Sequence, residues 1–260
     1  MSRTIVVTGA ASGIGQATAE LLAARGDTVI TVDLRDADIT ADLSDEAAVA
    51  QVVEQITERT GGTLDGLVAN AGVSAANELS LLVNYVGTIA LIEGLRPLLA
   101  QSDAPRISVT SSAATLQPND PELVDLLLAG ETEAAVERGK ALAAQGQAGY
   151  ANYSSSKRAI SRWVRRVAPT ADYAGAGIGI NAVGPGQVRT AMTAELLSTE
   201  EGRKMVEAAM PSPYGGPAEA EHIAEVHAFL LSPGNARMTG QVVFVDSGFD
   251  AVSRGDDIWS

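Results

Sequence analysis

Tyr153 and Lys157 stand one helical turn apart in Tyr153-Ser-Ser-Ser-Lys157, so on a helix their side chains leave from the same face. A free phenol holds its proton to a pKa of about 10, too high for ready exchange at neutral pH. An ammonium beside it stabilises the phenolate and lowers that value toward the range where general acid/base catalysis works. A tyrosine–lysine pair at this spacing is common on solvated helix faces. It becomes chemistry only if other elements bring a reactant to it. A glycine turn near the N-terminus and the pair Ser111-Ser112 are the upstream features that could do so.

The turn, Thr8-Gly9-Ala10-Ala11-Ser12-Gly13-Ile14-Gly15, sits where a first apolar run ends and an amphipathic helix begins. Glycines there let the backbone turn sharply and approach a pyrophosphate, whose charge is met by the helix N-terminal amides. Asp33 ends the next strand-like run, where a carboxylate can hold the ribose hydroxyls of a dinucleotide. A 2′-phosphate at that place would meet a like charge, costing on the order of 4 kcal/mol at 4 Å and an effective dielectric near 20. NAD(H) is therefore expected over NADP(H), with nearby Arg35 offsetting part of the preference.

Short β-rich runs alternate with longer helical patterns along the 260 residues, of which 46% are apolar, enough for a sizeable core. Strands are expected at Thr4–Val7, Thr28–Val32, Gly66–Ala69, Arg106–Thr110, Ile178–Val183 and Gln241–Val245, with Ala37–Leu43 as an abbreviated third strand. Helical stretches fall at 14–25, 44–59, 79–100, 150–173 and 217–231. This alternation implies an α/β fold with a doubly wound parallel sheet of six to seven strands, helices on both faces, and one domain over residues 1–260. An extra helical hairpin is expected at about 119–146.

Several function classes are disfavoured. A net charge of −14 argues against a nucleic-acid partner. The longest apolar region, Leu79 to Ala100, is interrupted by Asn84, Gly87, Glu93, Gly94 and Arg96, so no membrane span is expected. The chain has no cysteine, and no signal-peptide pattern precedes the first strand, so a cytoplasmic protein is expected. The only histidines, His222 and His227, are expected on the surface of a late helix, and no metal site is assembled from them.

In this order, Thr8–Gly15, Asp42-Leu43, Asn70-Ala71-Gly72, Asn84, Ser111-Ser112, Tyr153 with Lys157, and Pro185-Gly186 with Thr190 resemble the short-chain dehydrogenase/reductase family over nearly the whole chain. Asp33–Asp38, Val83-Asn84-Tyr85, the hairpin and Asp246–Val252 are similar to the bacterial hydroxysteroid dehydrogenases/carbonyl reductases within it. The resemblance implies a Rossmann-type fold and an oxidoreductase acting on a secondary alcohol/ketone pair, bulky and apolar: a hydroxysteroid, an alicyclic or aryl alcohol, or an amino alcohol. It implies a dinucleotide site from Gly9, Ser12, Gly13, Ile14, Gly15, Asp33, Leu34, Asp42, Leu43, Asn70, Ala71 and Gly72. Tyr153, Lys157, Pro185, Gly186, Val188 and Thr190 would hold its nicotinamide end.

By the same resemblance Tyr153 exchanges the proton, Lys157 lowers its pKa and holds the ribose, Ser112 holds the substrate oxygen, and Asn84 positions water leading to Lys157. Strand alternation aims Ser111 and Ser112 to opposite faces, and the family pattern favours Ser112. Met192, Leu196, Leu197, Met205, Met210 and Tyr214, between Thr190 and Pro217, are candidates for an apolar substrate wall. A homodimer through Ala218–Leu231 and Val242–Val245 is expected, with a homotetramer as second choice. An NAD-dependent epimerase/dehydratase and a non-catalytic dinucleotide sensor are the alternatives. The first would want a larger separate lobe, and the second would not need Ser112, Tyr153, Lys157 and Asn84 together.

Overall fold

A computed structural model describes residues 2–258, apart from the side chains of Gln147, Met192, Glu195, Leu196 and Leu197. Its centre is a seven-stranded sheet of β1 (Thr4–Thr8), β2 (Thr28–Asp33), β3 (Ile39–Thr40), β4 (Gly66–Ala69), β5 (Arg106–Thr110), β6 (Gly179–Pro185) and β9 (Val242–Val245). The order is β3-β2-β1-β4-β5-β6-β9, with every neighbour parallel. The chain winds outward in one direction from β1 and in the other from β4. In such sheets that switch point opens a crevice beyond the strands' carboxyl ends. The short pair β7 (Val188–Arg189) and β8 (Ala218–Glu219) lies apart from the main sheet.

Strand alternation divides the core. Val6, Leu67 and Ile107 face α2 (Glu46–Thr60), α3 (Leu79–Leu99) and α6 (Ala151–Val167), while Ile5, Val7 and Val68 face α1 (Gly13–Ala24) and α9 (Ala220–Leu231). Each fully buried Leu, Ile or Val contributes about 1.5–3 kcal/mol by leaving water. By length and mean hydropathy, 1.3, α3 could cross a bilayer, yet here Leu91, Ile92, Leu95 and Leu99 are buried against the sheet. Near its start, α3 widens into a π-helical stretch at Leu82–Gly87. There a Cβ on Gly87 would come within 1.8 Å of the Leu43 carbonyl, so only glycine allows this approach.

The expected hairpin is α4 (Pro121–Ala129) and α5 (Thr132–Ala143). Asp120 starts it by accepting from the Leu123 amide at 2.8 Å, and it also holds Arg138 at 2.6 Å, clasping the two helices. Leu123, Val124 and Leu127 pack this hairpin onto α6.

Elsewhere the structure departs from the pattern in the sequence. The third strand shrinks to Ile39–Thr40 because residues 34–38 make a tight turn in place of a crossover helix. Asp36 adopts φ 51, and the Asp38 carboxylate accepts from the Thr31 amide and hydroxyl at 2.9 and 2.7 Å. The Tyr153 helix stops at Val167, not at 173, since Pro169 cannot continue the hydrogen-bond ladder. The segment expected as a substrate loop contains α7 (Ala191–Ser198) and α8 (Glu200–Ala209), started by a capping box between Thr190 and Thr193. A last helix, α10, follows at Phe249–Arg254. His222 is exposed and accepts from the Glu219 amide, but His227, expected on the surface, is fully buried on the face of α9 that meets β5.

Candidate active site

A cleft of about 310 Å³ opens at the sheet's switch point, and every expected dinucleotide position except Gly15 borders it. Gly15 supports the turn from behind: a Cβ there would fall 2.0 Å from the Gly9 carbonyl oxygen. Gly9 and Gly13 take φ of 66 and 55, in the left-handed region open to glycine. The Gly9 amide donates to the Val32 carbonyl at 2.8 Å, tying the turn to β2.

Ser12 caps α1 without a side-chain hydrogen bond, and the first turn of that helix holds no acidic residue. Its amide ends therefore face the cleft with an uncancelled partial positive charge, which suits a pyrophosphate. The Asp33 carboxylate is oriented by the Ala11 amide at 2.9 Å and the Leu34 amide at 2.6 Å, leaving lone pairs for a diol. Asp42 also borders the cleft, while accepting from the Ser44 amide and hydroxyl at 2.8 and 2.7 Å, bonds that hold its carboxyl below the usual range. The glycine turn, the start of α1 and the Asp33 carboxylate thus border one cleft.

At the other end stand Ser112, Tyr153 and Lys157. The Lys157 ammonium donates to the Thr110 carbonyl at 2.8 Å and lies 6.0 Å from the centre of the Tyr153 ring. Burial pulls its pKa down to about 8. Burial pushes the Tyr153 phenol up, and a hydrogen bond with Ser112 works against that rise. The expectation that Lys157 holds the phenol below its ordinary value is not met in this arrangement. The cation is aimed at a backbone carbonyl of β5, and desolvation disfavours the charged form of both groups. At neutral pH the phenol is therefore protonated.

Ser111 and Ser112 follow the end of β5 and both border the cleft, but their hydroxyls take different partners. The Ser111 hydroxyl meets Ser161 at 2.6 Å and donates to the Lys157 carbonyl at 3.2 Å, so its reach is inward, behind α6. Asn84 does not border the cleft. Its amide oxygen accepts from the Val73 amide at 2.8 Å, while its nitrogen donates to the Val73 carbonyl at 2.9 Å and to Ser156 at 3.1 Å. It braces the loop containing Gly72, where a Cβ would crowd both Asn84 and the Lys157 ammonium at 3.1 and 3.3 Å.

The substrate wall fares differently. Met205 and Tyr214 are 65% and 85% exposed, and neither they nor Met210, whose carbonyl accepts from Gln187, border the cleft. The expected side chains of Met192, Leu196 and Leu197 lie outside the described residues. Val73, Val83, Ala191 and Thr193 line the cleft without having been anticipated. Val83 was legible as the neighbour of Asn84, but its aim depends on the π-helical stretch, for which the sequence carries no local signal.

A family profile described as "Enoyl-(Acyl carrier protein) reductase" matches residues 9–250. Among characterised relatives, the 3-alpha-hydroxysteroid dehydrogenase/carbonyl reductase of Comamonas testosteroni is 33% identical over 96% of this chain and 97% of its own. Cis-4-hydroxycyclohexanecarboxylate dehydrogenase of Sinomonas cyclohexanicum is 33% identical over the same shares. The crystal structure of the 3-alpha-hydroxysteroid dehydrogenase from Pseudomonas sp. B-0831, complexed with NADH, superposes with a TM-score of 0.87 at 38% identity, covering 98% of this chain and 100% of that one. With the sheet order, the glycine turn and the Ser112–Tyr153–Lys157 grouping already in place, these likenesses make the chain a member of the short-chain dehydrogenase/reductase family of oxidoreductases.

Proposed function

We propose that this protein interconverts a bulky alicyclic secondary alcohol and its ketone, with NAD(H) as redox partner, in a single catalytic domain. The observation that carries this reading is one cleft with the Ser112, Tyr153 and Lys157 side chains at one end and a helix N-terminus beside Asp33 at the other. A bound nicotinamide supplies or accepts the hydride. In the reducing direction the Tyr153 hydroxyl gives its proton to the carbonyl oxygen, and in the oxidising direction it takes that proton back. Ser112 donates to the same oxygen and holds it within reach of the phenol. Lys157, kept in place by the Thr110 carbonyl, puts positive charge where negative charge develops. Asn84 keeps the Gly72 loop and α6 in register through Val73 and Ser156.

Asp33 supports NAD(H) over NADP(H), because its carboxylate is fixed at the cleft where a 2′-phosphate would need room and a cation. Val73, Val83 and Val188 give the cleft apolar walls, which suit rings over sugars. The named substrates of two relatives, a hydroxysteroid and a hydroxycyclohexane carboxylate, belong to that class. The reading includes a homodimer through α9 and β9: β9 is the edge strand of the main sheet among the described residues, and Phe229 on α9 is 54% exposed. The hairpin covers α6, the other helix face on which such subunits could meet. The cysteine-free composition supports a cytoplasmic setting.

The test follows NADH absorbance while the protein is offered steroidal, alicyclic, aryl and amino-substituted secondary alcohols, and the matching ketones with NADH. Turnover of at least one alicyclic member is expected. Measurable NADH binding with no turnover across the whole panel would refute the catalytic reading.

A further inference from the structure

His227 is fully buried, on the face of α9 that packs on β5, and the chemistry above leaves it unused. Its neighbours form a chain whose polarity is set from one end. The Asn70 side-chain nitrogen donates to the carbonyls of Thr8 and Gly9 at 3.1 and 3.4 Å. Turning that amide over would face an oxygen to two carbonyl oxygens, so the Asn70 oxygen must point the other way, where the Thr110 hydroxyl donates to it at 3.0 Å. A hydroxyl has one proton to give. With that proton committed, the Thr110 oxygen accepts at its second contact, 3.1 Å from His227 Nε2. Nε2 therefore carries the hydrogen, and the bare Nδ1 accepts from the Ser108 hydroxyl at 2.7 Å. Strand alternation explains why Ser108 and Thr110 both reach this helix.

We propose that His227, held as the Nε2–H tautomer between Ser108 and Thr110, is a positioning residue that fixes the Gly9 turn of the dinucleotide site through Thr110 and Asn70. This inference rests on the dinucleotide reading above. The Gly9 carbonyl is the oxygen that a Cβ on Gly15 would strike at 2.0 Å, so this peptide packs closely against the start of α1. Without the Nε2–H donor, Thr110 is free to turn its hydroxyl proton away from Asn70. The Asn70 amide then loses what orients it toward Thr8 and Gly9. Thr110 also offers its carbonyl to Lys157 at 2.8 Å, so one residue joins the two ends of the cleft. Burial holds the imidazole neutral, with a pKa drawn down to about 3, which keeps a single tautomer in place at ordinary pH.

The test compares wild type with His227→Leu, His227→Gln, Thr110→Val and the Leu/Val double variant, measuring NADH affinity by fluorescence and the wild-type ring tautomer by ¹⁵N NMR. His227→Leu and Thr110→Val should each bind NADH about tenfold more weakly, the equivalent of one net hydrogen bond. The double variant should be no weaker than the worse single one, because both break the same chain. His227→Gln, which keeps a donor toward Thr110, should recover affinity to within about threefold of wild type, and the ring should show an unprotonated Nδ1. A folded His227→Leu that binds NADH as wild type does overturns the proposal, as does His227→Gln binding as weakly as His227→Leu. Should His227→Leu fail to fold, wild-type affinity in Thr110→Val or an Nδ1–H tautomer overturns it. A wild type that binds no NADH refutes the dinucleotide reading together with the proposal, whereas binding that is merely insensitive to these changes refutes the proposal alone.

Discussion

Acid should destabilise this protein through the buried His227, and His227→Gln should remove that sensitivity. In the unfolded chain His227 binds a proton near its ordinary pKa of about 6.5. In the fold its value is drawn to about 3, because the ring is buried among Ser108, Thr110 and the sheet with no charge to pair with. Between those values the unfolded state holds a proton that the native state does not. Stability therefore rises with pH through the window and falls as the solution is acidified. Each pH unit is worth about 1.4 kcal/mol, so going from about pH 7 to about pH 4.5 should remove about 2.5 kcal/mol through this group alone. Asp38, Asp42 and Asp120, held below their ordinary values by hydrogen bonds, also weaken the fold on acidification, but they do so equally in both proteins. The assay is urea unfolding of wild type and His227→Gln at matched protein concentration across that range, read as the difference between the two curves. Curves that stay parallel to about pH 4.5 would show that the native ring takes up its proton readily, and the burial argument would be wrong.

Tyr153→Phe removes the proton donor while keeping the ring, so turnover should fall by about 10²–10⁴-fold with NADH affinity within about threefold of wild type, measured by steady-state kinetics and fluorescence. Asp33→Ala should raise NADP(H) use relative to NAD(H) by at least about tenfold in paired kinetics, since a fixed like charge leaves the ribose site. Asp120→Ala removes both the start of α4 and its link to Arg138 and should lower stability by about 1–3 kcal/mol in urea unfolding, with kcat changed little.

Much of the fold was legible because it depends on local periodicity. The Gly9–Gly15 turn, the strand ending at Asp33 and the Tyr153–Lys157 turn are each set by residues within a few positions of one another. Gly87 and Asn84 were visible as residues, but not the π-helical stretch that brings Gly87 onto Leu43, since the contact joins distant segments. The apolar residues between Thr190 and Pro217 suggested a wall, yet Met205 and Tyr214 face solvent. Short amphipathic helices such as α8 carry apolar residues on faces whose neighbours the local pattern does not name. His227 was misplaced for a related reason. A polar residue on a helix reads as surface until the facing strand is known to offer hydroxyls.

The amino-acid order alone determined that a parallel sheet would form, that a glycine turn would open its first helix, and that a tyrosine and a lysine would share one helical face, because each follows from spacing along the backbone. Only the tertiary structure decided that the ammonium rests on the Thr110 carbonyl, that the Ser111 hydroxyl turns inward while Ser112 meets the phenol, and that a buried imidazole joins Ser108 and Thr110. Those arrangements depend on which strand and helix faces meet across the core, and on the desolvation that follows when they do.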